Sequence, residues 1–144
     1  MKKGVIFGTL AGIMLLSLTG CGNSGTKLTC TQSDEQEQGT LREDMVVTFK
    51  EDHIDTLDIT FQIDVNDEYA EYVDELEDSM KDLIEQYEKY ATDYDVRTSG
   101  NTIRGILRVE YNKLSEEARE EADLNDVTYD SMKEEMEDSG FTCR

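Results

Sequence analysis

The sequence predicts an α+β domain in which an antiparallel β-sheet carries helices on one face. Three observations predict this class: apolar and polar residues alternate in the first half of the chain, apolar residues recur at helical spacing after Asn66, and alternation returns after Tyr94. The predicted order is β-β-β-α-β-β-α, with about five strands, and it favours a sheet that is covered on one side. The chain has 144 residues and no proline, so we expect one folded domain, over residues 27–144.

Short segments of alternating polarity predict the first three strands. Lys27 to Gln32 is predicted as a polar strand, and Ser33 to Gln38 as a loop. Asp44 to Lys50 and Leu57 to Ile63 place every second, apolar side chain on the same face. Glu51-Asp52-His53 between them is predicted to be a tight hairpin connection.

A long amphipathic helix is predicted from Asn66 to Ala91. Its apolar residues recur every three or four positions and form one stripe over about six turns. Asn66 is predicted to be the N-cap. The pairs Glu77–Lys81 and Glu85–Lys89 have the i,i+4 spacing that favours ion pairing on a helix.

A second hairpin and one or two short helices complete the domain. Tyr94 to Ser99 and Thr102 to Tyr111 are predicted to pair around a turn at Gly100-Asn101. Leu114 to Leu124 is compatible with a short helix or a loop. The last helix is predicted to begin with the capping box Ser131-Met-Lys-Glu134 and to stop at Gly140 in a left-handed conformation.

The N-terminus has the features of a lipoprotein signal peptide. A basic start at Lys2-Lys3 precedes an apolar run over residues 5–18 that is too short for a convincing spanning helix. The following Leu18-Thr19-Gly20-Cys21 resembles the lipobox of bacterial lipoproteins. The resemblance implies that residues 1–20 are cleaved and that acylated Cys21 anchors the protein in the lipid bilayer on the extracytoplasmic face of the cell membrane. The residues after Cys21 are small and polar, so residues 21–26 are predicted to form a flexible tether.

The other two cysteines, Cys30 and Cys143, are predicted to form a disulfide. An even number of cysteines in an oxidising extracytoplasmic space favours this pairing. Two free thiols or a metal-binding pair are the alternatives, but two thiols and one distant histidine are too few ligands for a structural zinc site.

The charge of the chain limits its partners. The sequence has 34 acidic and 14 basic residues and a formal net charge of −20. Such a chain cannot neutralise a row of phosphates, so nucleic acid is not expected as a partner. Electrostatic docking on an anionic lipid surface is equally disfavoured.

The chain as a whole resembles the YehR-like group of small bacterial lipoproteins. The lipobox, the polar strand that contains Cys30, the hairpin VVTF…IDTLDITF, the long helix, the strand RVEYNKL and the closing SMKEEMEDSGFTC carry this resemblance. It covers nearly all of the mature chain and includes no catalytic signature. It implies a sheet-plus-helices fold and an envelope location, and it implies nothing about mechanism.

No enzyme, cofactor or metal site is predicted. The single histidine, His53, is expected to be an exposed turn residue, and the chain has no G-x-S-x-G, H-E-x-x-H or phosphate-binding glycine loop. The spacing of Asp64, Asn66, Glu68 and Glu75 fits an EF-hand count only by chance, because Tyr69 replaces the required glycine. A loose cation site remains an alternative at residues 34–37 or along residues 74–82.

The scarce arginines provide the most specific candidate site. In the predicted second hairpin Arg97 lies opposite Arg104, and Arg108 shares their face. Opposed like charges destabilise a strand pair unless they are neutralised. Either acids such as Asp58 neutralise them, or the three arginines form an anion-binding patch on the open sheet face.

Two functions follow as expectations. The first is a surface-anchored interaction module that binds another envelope protein or a cell-wall component. The second is an envelope protein that binds divalent cations or small molecules.

Overall fold

The computed structural model describes residues 25–144, which form one six-stranded antiparallel sheet and three α-helices. The strand order across the sheet is β4-β5-β3-β2-β1-β6. The strands are β1 (Thr26–Gln36), β2 (Gly39–Lys50), β3 (His53–Val65), β4 (Asp93–Ser99), β5 (Thr102–Glu110) and β6 (Thr142–Cys143). The helices are α1 (Val73–Glu85), α2 (Glu116–Ala122) and α3 (Tyr129–Asp138).

The α+β class is confirmed, but the number of strands was underestimated. The sixth strand, β6, has only two residues and pairs Cys143 with Cys30 of β1. A strand of two residues shows no alternation in the sequence, so it could not be predicted from the sequence. It is recognised only by its pairing with β1.

The first three strands are longer than predicted, and the loop predicted at Ser33 to Gln38 is wrong over its first four residues. Residues 33–36 continue β1 and pair with residues 39–42 of β2. Their side chains are polar and mostly exposed on both faces, so no alternation marks this part of the ladder. The β2–β3 turn consists of Glu51 and Asp52, which have φ values of 49° and 67°, and a register shift follows at Thr48/Phe49.

The predicted long helix is three shorter pieces. Residues 67–72 and 88–90 are 3-10 turns that flank α1. Asn66 does not cap the helix with its side chain, because that side chain donates to the Glu37 carbonyl instead. Of the two predicted ion pairs Glu77–Lys81 forms at 2.5 Å, whereas Lys89 pairs with Glu121 of α2 rather than with Glu85.

Both C-terminal helices have side-chain caps. Ser115 accepts a hydrogen bond from the Ala118 amide and starts α2, which settles the choice between helix and loop. The capping box of α3 uses Thr128 and Ser131, three residues earlier than predicted. Gly140 follows α3 with a φ of 96°, as predicted for a helix stop.

All three helices pack on one face of the sheet. Met80 and Ile84 of α1 pack against Ile103 and Leu107 of β5, and under α3 lie Leu28, Cys30 and Val47. A third, smaller cluster joins Val109 to Leu114 and Ala118 of α2. Gly105 permits the close approach of α1, because a Cβ there would lie 2.6 Å from Cδ1 of Ile84 and 2.8 Å from Sδ of Met80.

Candidate functional site

The face of the sheet opposite the helices is uncovered by any described part of the chain. Along β5 the side chains alternate: Ile103 and Leu107 are at most 5% exposed, whereas Arg104, Ile106 and Arg108 are exposed. None of the buried clusters of residues 25–144 includes a residue from this second face. We call this second face the open face.

The open face is polar and rich in threonine. Register and alternation place five residues from each of the four central strands and four from β4 on it. Its only apolar residues within these strands are Val46 and Ile106. Threonine suits such a surface, because its branched side chain favours a strand while its hydroxyl stays hydrated. The threonines are Thr29, Thr31, Thr40, Thr48, Thr56, Thr60 and Thr102.

Charge is distributed unevenly between this face and the rest of the molecule. Only seven of the chain's 34 acidic residues lie on the open face, together with Lys27 and four of the six arginines. The face is therefore close to neutral, although the chain has a net charge of −20. The acids are Glu35, Asp44, Asp58, Asp64, Asp93, Asp95 and Glu110.

Three arginines lie in one row across four adjacent strands. Arg97 of β4 is opposite Arg104 of β5, as the sequence predicted. Arg104 is opposite Gln62 of β3, and Gln62 is opposite Arg42 of β2. Neighbouring strands are about 4.8 Å apart, so Arg104 lies one strand spacing from Arg97 and two from Arg42.

Two arginines of this row are neutralised from their own strands. Asp44 accepts two hydrogen bonds from Arg42, at 2.9 Å from Nε and 3.1 Å from the terminal nitrogen. Asp95 forms the corresponding ion pair with Arg97. Both pairs are solvent-exposed, so each is worth roughly 0 to 1 kcal/mol and exchanges readily with an external anion.

Arg108 and Arg104 differ in their surroundings. Arg108 lies 3.4 Å from the carboxylate of Asp58 and 3.7 Å from that of Glu110, which confirms for this arginine the expected neutralisation by Asp58. Arg104 makes no ion pair with any residue in the range 25–144. It is flanked by Gln62 and by the like charge of Arg97. Arg104 is therefore the best placed of the three predicted patch residues to meet an external anion.

Sequence reasoning missed Arg42 as a member of the row. Arg42 lies outside the predicted strand, which begins at Asp44. The two-residue turn at Glu51-Asp52 could have revealed it. Counting back from that turn along β2 and β3, with one extra residue in β3 for the bulge, pairs Arg42 with Gln62.

Cys30 and Cys143 form the predicted disulfide, across 113 positions of the chain. Cys30 is fully buried in the cluster under α3. The bond ties β6 and the end of the chain to β1. Its neighbours Thr31 and Thr142, which are also paired, lie on the open face.

His53 is exposed, as predicted, but it is the first residue of β3 and not part of the turn. It borders an open depression with Asp55, Tyr111 and Asn112. The Asp55 carboxylate lies 3.1 Å from Nζ of Lys50 and 3.5 Å from the Asn112 amide nitrogen, so it is already engaged and does not orient His53.

The candidate cation ligands do not converge. Within residues 25–144, no three His, Cys, Asp or Glu side chains are arranged to hold a metal ion. Asp34 accepts a hydrogen bond from Gln36, and Asp78 lies 3.6 Å from Lys81. Asp64, at the start of the EF-hand count, accepts from Gln62 and Thr102.

Cys21, the signal peptide and the first part of the predicted tether lie outside the described residues. Within residues 25–144, no helix is long and apolar enough to cross a membrane.

Two solved structures share this arrangement of sheet and helices. The NMR structure of the Escherichia coli protein YehR matches with a TM-score of 0.55 over 83% of this chain and 91% of that one, at 12% identity. The chain has a YehR-like fold. An NMR structure of a protein from Streptococcus pneumoniae TIGR4 matches with a TM-score of 0.50 over 94% and 97% of the two chains, at 16% identity.

At such identities the likeness concerns the YehR-like fold alone. No protein-family model matches the chain, and no curated protein matches it in sequence. Function therefore has to be argued from the residues of this chain.

Proposed function

We propose that the protein is a lipid-anchored lipoprotein of the bacterial envelope that acts as an interaction module through its open face. The observation that carries the proposal is the exposed row of Arg97, Arg104 and Arg42 on a nearly neutral sheet face. Guanidinium groups bind carboxylates and phosphates with two parallel hydrogen bonds. The partner is accordingly an envelope component that presents such groups, a cell-wall polymer or a protein.

The covalent features of the chain support the envelope location. The Cys30–Cys143 disulfide is typical of proteins outside the reducing cytoplasm. The lipobox ends at Cys21, five residues before β1 begins at Thr26. A domain on so short a tether stays near the bilayer.

Radioactive palmitate tests the anchor. Bacteria that express the protein should incorporate label and retain the protein in the membrane fraction, and the variant Cys21→Ala should lose both. A Cys21→Ala variant that still carries label would contradict the lipoprotein assignment.

Binding to isolated peptidoglycan tests the open face. Arg104→Gln should reduce co-sedimentation of the protein with peptidoglycan, and added salt should reduce it further. Lys133→Gln removes the same charge from α3 and should have no effect. Equal losses for the two variants would show that total charge, and not the arginine row, controls binding.

A further inference from the structure

Strand β4 forms one edge of the sheet and has no partner strand on its outer side. It is the first strand in the order β4-β5-β3-β2-β1-β6, and it pairs with β5 without a register shift. At the opposite edge, the short strand β6 covers the middle of β1. Prolines and bulges often protect an exposed edge from pairing with another chain, and Asp93–Ser99 contains neither. The outer side of β4 is therefore the longest continuous free edge in the described part of the chain.

Every second residue of β4 directs its backbone groups away from the sheet. Ser99 and Thr102 flank a two-residue turn and therefore bond to each other. Because backbone bonds alternate along an antiparallel pair, every second residue before Ser99 also bonds to β5, and the residues between them point outward. The outward residues are Tyr94, Val96 and Thr98. Their amides and carbonyls are available to an added strand.

Carboxylates of the helix layer lie beside this edge. A hydrogen bond to Glu88, together with the negative charges of Glu88 and Glu85, raises the pKa of the Tyr94 hydroxyl. Near the other end of the strand, Glu77 lies close to the Thr98 side chain. Neither Glu85 nor Glu88 forms an ion pair with another residue in the range 25–144. The helix-bearing side of the β4 edge is therefore acidic.

The open face adds further carboxylates to the same edge. Asp95 is paired with Arg97. Asp93 is exposed and forms no ion pair within the described residues. A strand added beside β4 would therefore lie between unpaired carboxylates from both faces of the sheet.

The charge around the edge selects its occupant. Two copies of this chain paired through β4 would bring the acidic sides of their α1 helices together, and each chain has a net charge of −20. An extended segment with basic residues would instead neutralise the carboxylates beside β4. In strand addition, backbone hydrogen bonds provide affinity and the alternating side chains provide specificity.

We propose that the outer edge of β4 binds an extended, basic segment of a partner protein by strand addition. The backbone of that segment bonds to Tyr94, Val96 and Thr98, and its lysines or arginines lie beside Glu85 and Glu88. This site goes beyond the function proposed for the open face. It depends on the edge of the sheet rather than on the arginine row, so either proposal can fail without the other.

The test uses a fluorescein-labelled peptide of alternating lysine and threonine, as long as β4. Alternation places all the lysines on one face of an extended strand. Fluorescence anisotropy with the purified protein should show saturable binding. The control peptide has the same side chains and charge, but its amides are N-methylated and cannot donate to another strand. It should bind about tenfold more weakly or worse.

Two pairs of protein variants test the backbone and the charge separately. Thr98→Pro removes one outward amide from an edge position where proline is tolerated, whereas Thr98→Val keeps that amide. Glu85→Gln removes a carboxylate beside β4, and Glu134→Gln removes one from the exposed surface of α3. Thr98→Pro should weaken peptide binding about tenfold and Glu85→Gln about threefold at low salt. Thr98→Val and Glu134→Gln should leave it unchanged.

Amide hydrogen exchange measures the strand pairing directly. In the free protein, the amides of Tyr94, Val96 and Thr98 should exchange fast because they face solvent, whereas those of Asp95 and Arg97 are protected by β5. A saturating amount of the lysine–threonine peptide should slow exchange of the outward amides about tenfold or more. If Thr98→Pro strongly lowers the urea midpoint, this measurement on the wild type replaces that variant.

Four results would overturn the proposal. They are the absence of saturable binding, equal binding of the N-methylated peptide, equal effects within either pair of variants, and unchanged exchange of the outward amides in the presence of the peptide. Sedimentation that reveals a dimer paired through β4 would overturn it as well, because the occupant would then be a second copy.

Discussion

The side chains of strand β5 alternate between two different environments: those on one side are buried under the helices, and those on the other are exposed on the open face. Ile103 is completely buried under α1, whereas Ile106, three positions later, is 36% exposed on the open face. The helix side contains the apolar clusters and most of the acids, and the open face contains four of the six arginines. The buried apolar contacts that stabilise the fold are therefore on the helix side, and the open face is exposed to solvent. Each prediction below compares a residue of one side with a matched residue of the other, or compares two residues within one side.

The largest difference in the free energy of unfolding is expected between variants of two neighbouring residues at the end of the chain, Cys143 and Thr142. Cys143→Ala removes a disulfide that spans 113 positions, which in the chain-entropy model lowers the free energy of unfolding by about 4 to 5 kcal/mol. Thr142→Ala, its exposed neighbour on the open face, should cost about 0.5 kcal/mol or less. Urea denaturation without reductant measures both. Similar losses would show that β6 contributes little through its disulfide.

The next difference is expected between the two isoleucines of β5. Ile103→Ala leaves a cavity under α1 and should cost about 2 to 5 kcal/mol. Ile106→Ala should cost about 1 kcal/mol or less, because the side chain remains largely hydrated. If the two losses in urea midpoint were equal, the open face would be covered by something in solution.

Gly105→Ala tests how closely α1 approaches the sheet. The added methyl would lie 2.6 Å from Cδ1 of Ile84, so overpacking should cost about 1 to 3 kcal/mol. Ile84→Val removes that Cδ1 atom, and the double variant should be more stable than the sum of the two single losses predicts. Strictly additive losses would contradict the contact.

Two carboxylates on the helix side should respond to pH with opposite sign. Desolvation raises the pKa of Glu43, so the folded state is favoured at low pH and loses that advantage as the pH rises through this pKa. The hydrogen bond with Lys81 lowers the pKa of Glu77, so its contribution is present at neutral pH and is lost as the pH falls. At neutral pH, Glu43→Gln should raise the melting temperature and Glu77→Gln should lower it.

Melting curves of both variants between pH 3 and pH 8 check this. A melting temperature of Glu43→Gln below that of the wild type at neutral pH would show that the Glu43 carboxylate has a partner.

The smallest difference in stability is expected between two arginines of the open face, Arg104 and Arg108. Arg104→Thr removes a like charge opposite Arg97 and should stabilise the protein by roughly 0.2 to 1 kcal/mol. Arg108→Thr removes the ion pair with Asp58 and should destabilise it by a similar or smaller amount. High salt should reduce both changes in the urea midpoint. A destabilising Arg104→Thr would mean that Arg104 supports the fold.

Sequence patterns predicted the covered parts of the fold better than the exposed ones. Ile103 and Leu107 alternate with arginines, so the sequence correctly predicted both the strand and the face on which each side chain lies. Residues 33–36 extend β1 with polar side chains on both faces, and β6 has only two residues. Neither segment therefore shows the alternation of apolar and polar residues that predicts a strand. The turn was predicted at Glu51-Asp52-His53 and is one residue shorter, because His53 already pairs with Lys50; both turn residues have positive φ without being glycine.

The candidate site was predictable only in part, for the same reason. A two-residue turn at Gly100-Asn101 fixes the register of β4 and β5, so Arg97 and Arg104 could be paired from the sequence alone. Arg42 joins them through the β2–β3 register, which depends on a bulge.

Photo-crosslinking on intact cells tests most directly whether the open face is the binding surface of an anchored protein. A photoreactive residue at Ile106 should give a reproducible adduct with an envelope component. The adduct should be lost when Cys21→Ala releases the protein from the membrane. The same residue at Glu117, on the exposed surface of α2, should give none. Identical adducts at the two positions, or no adduct at Ile106, would contradict the proposal.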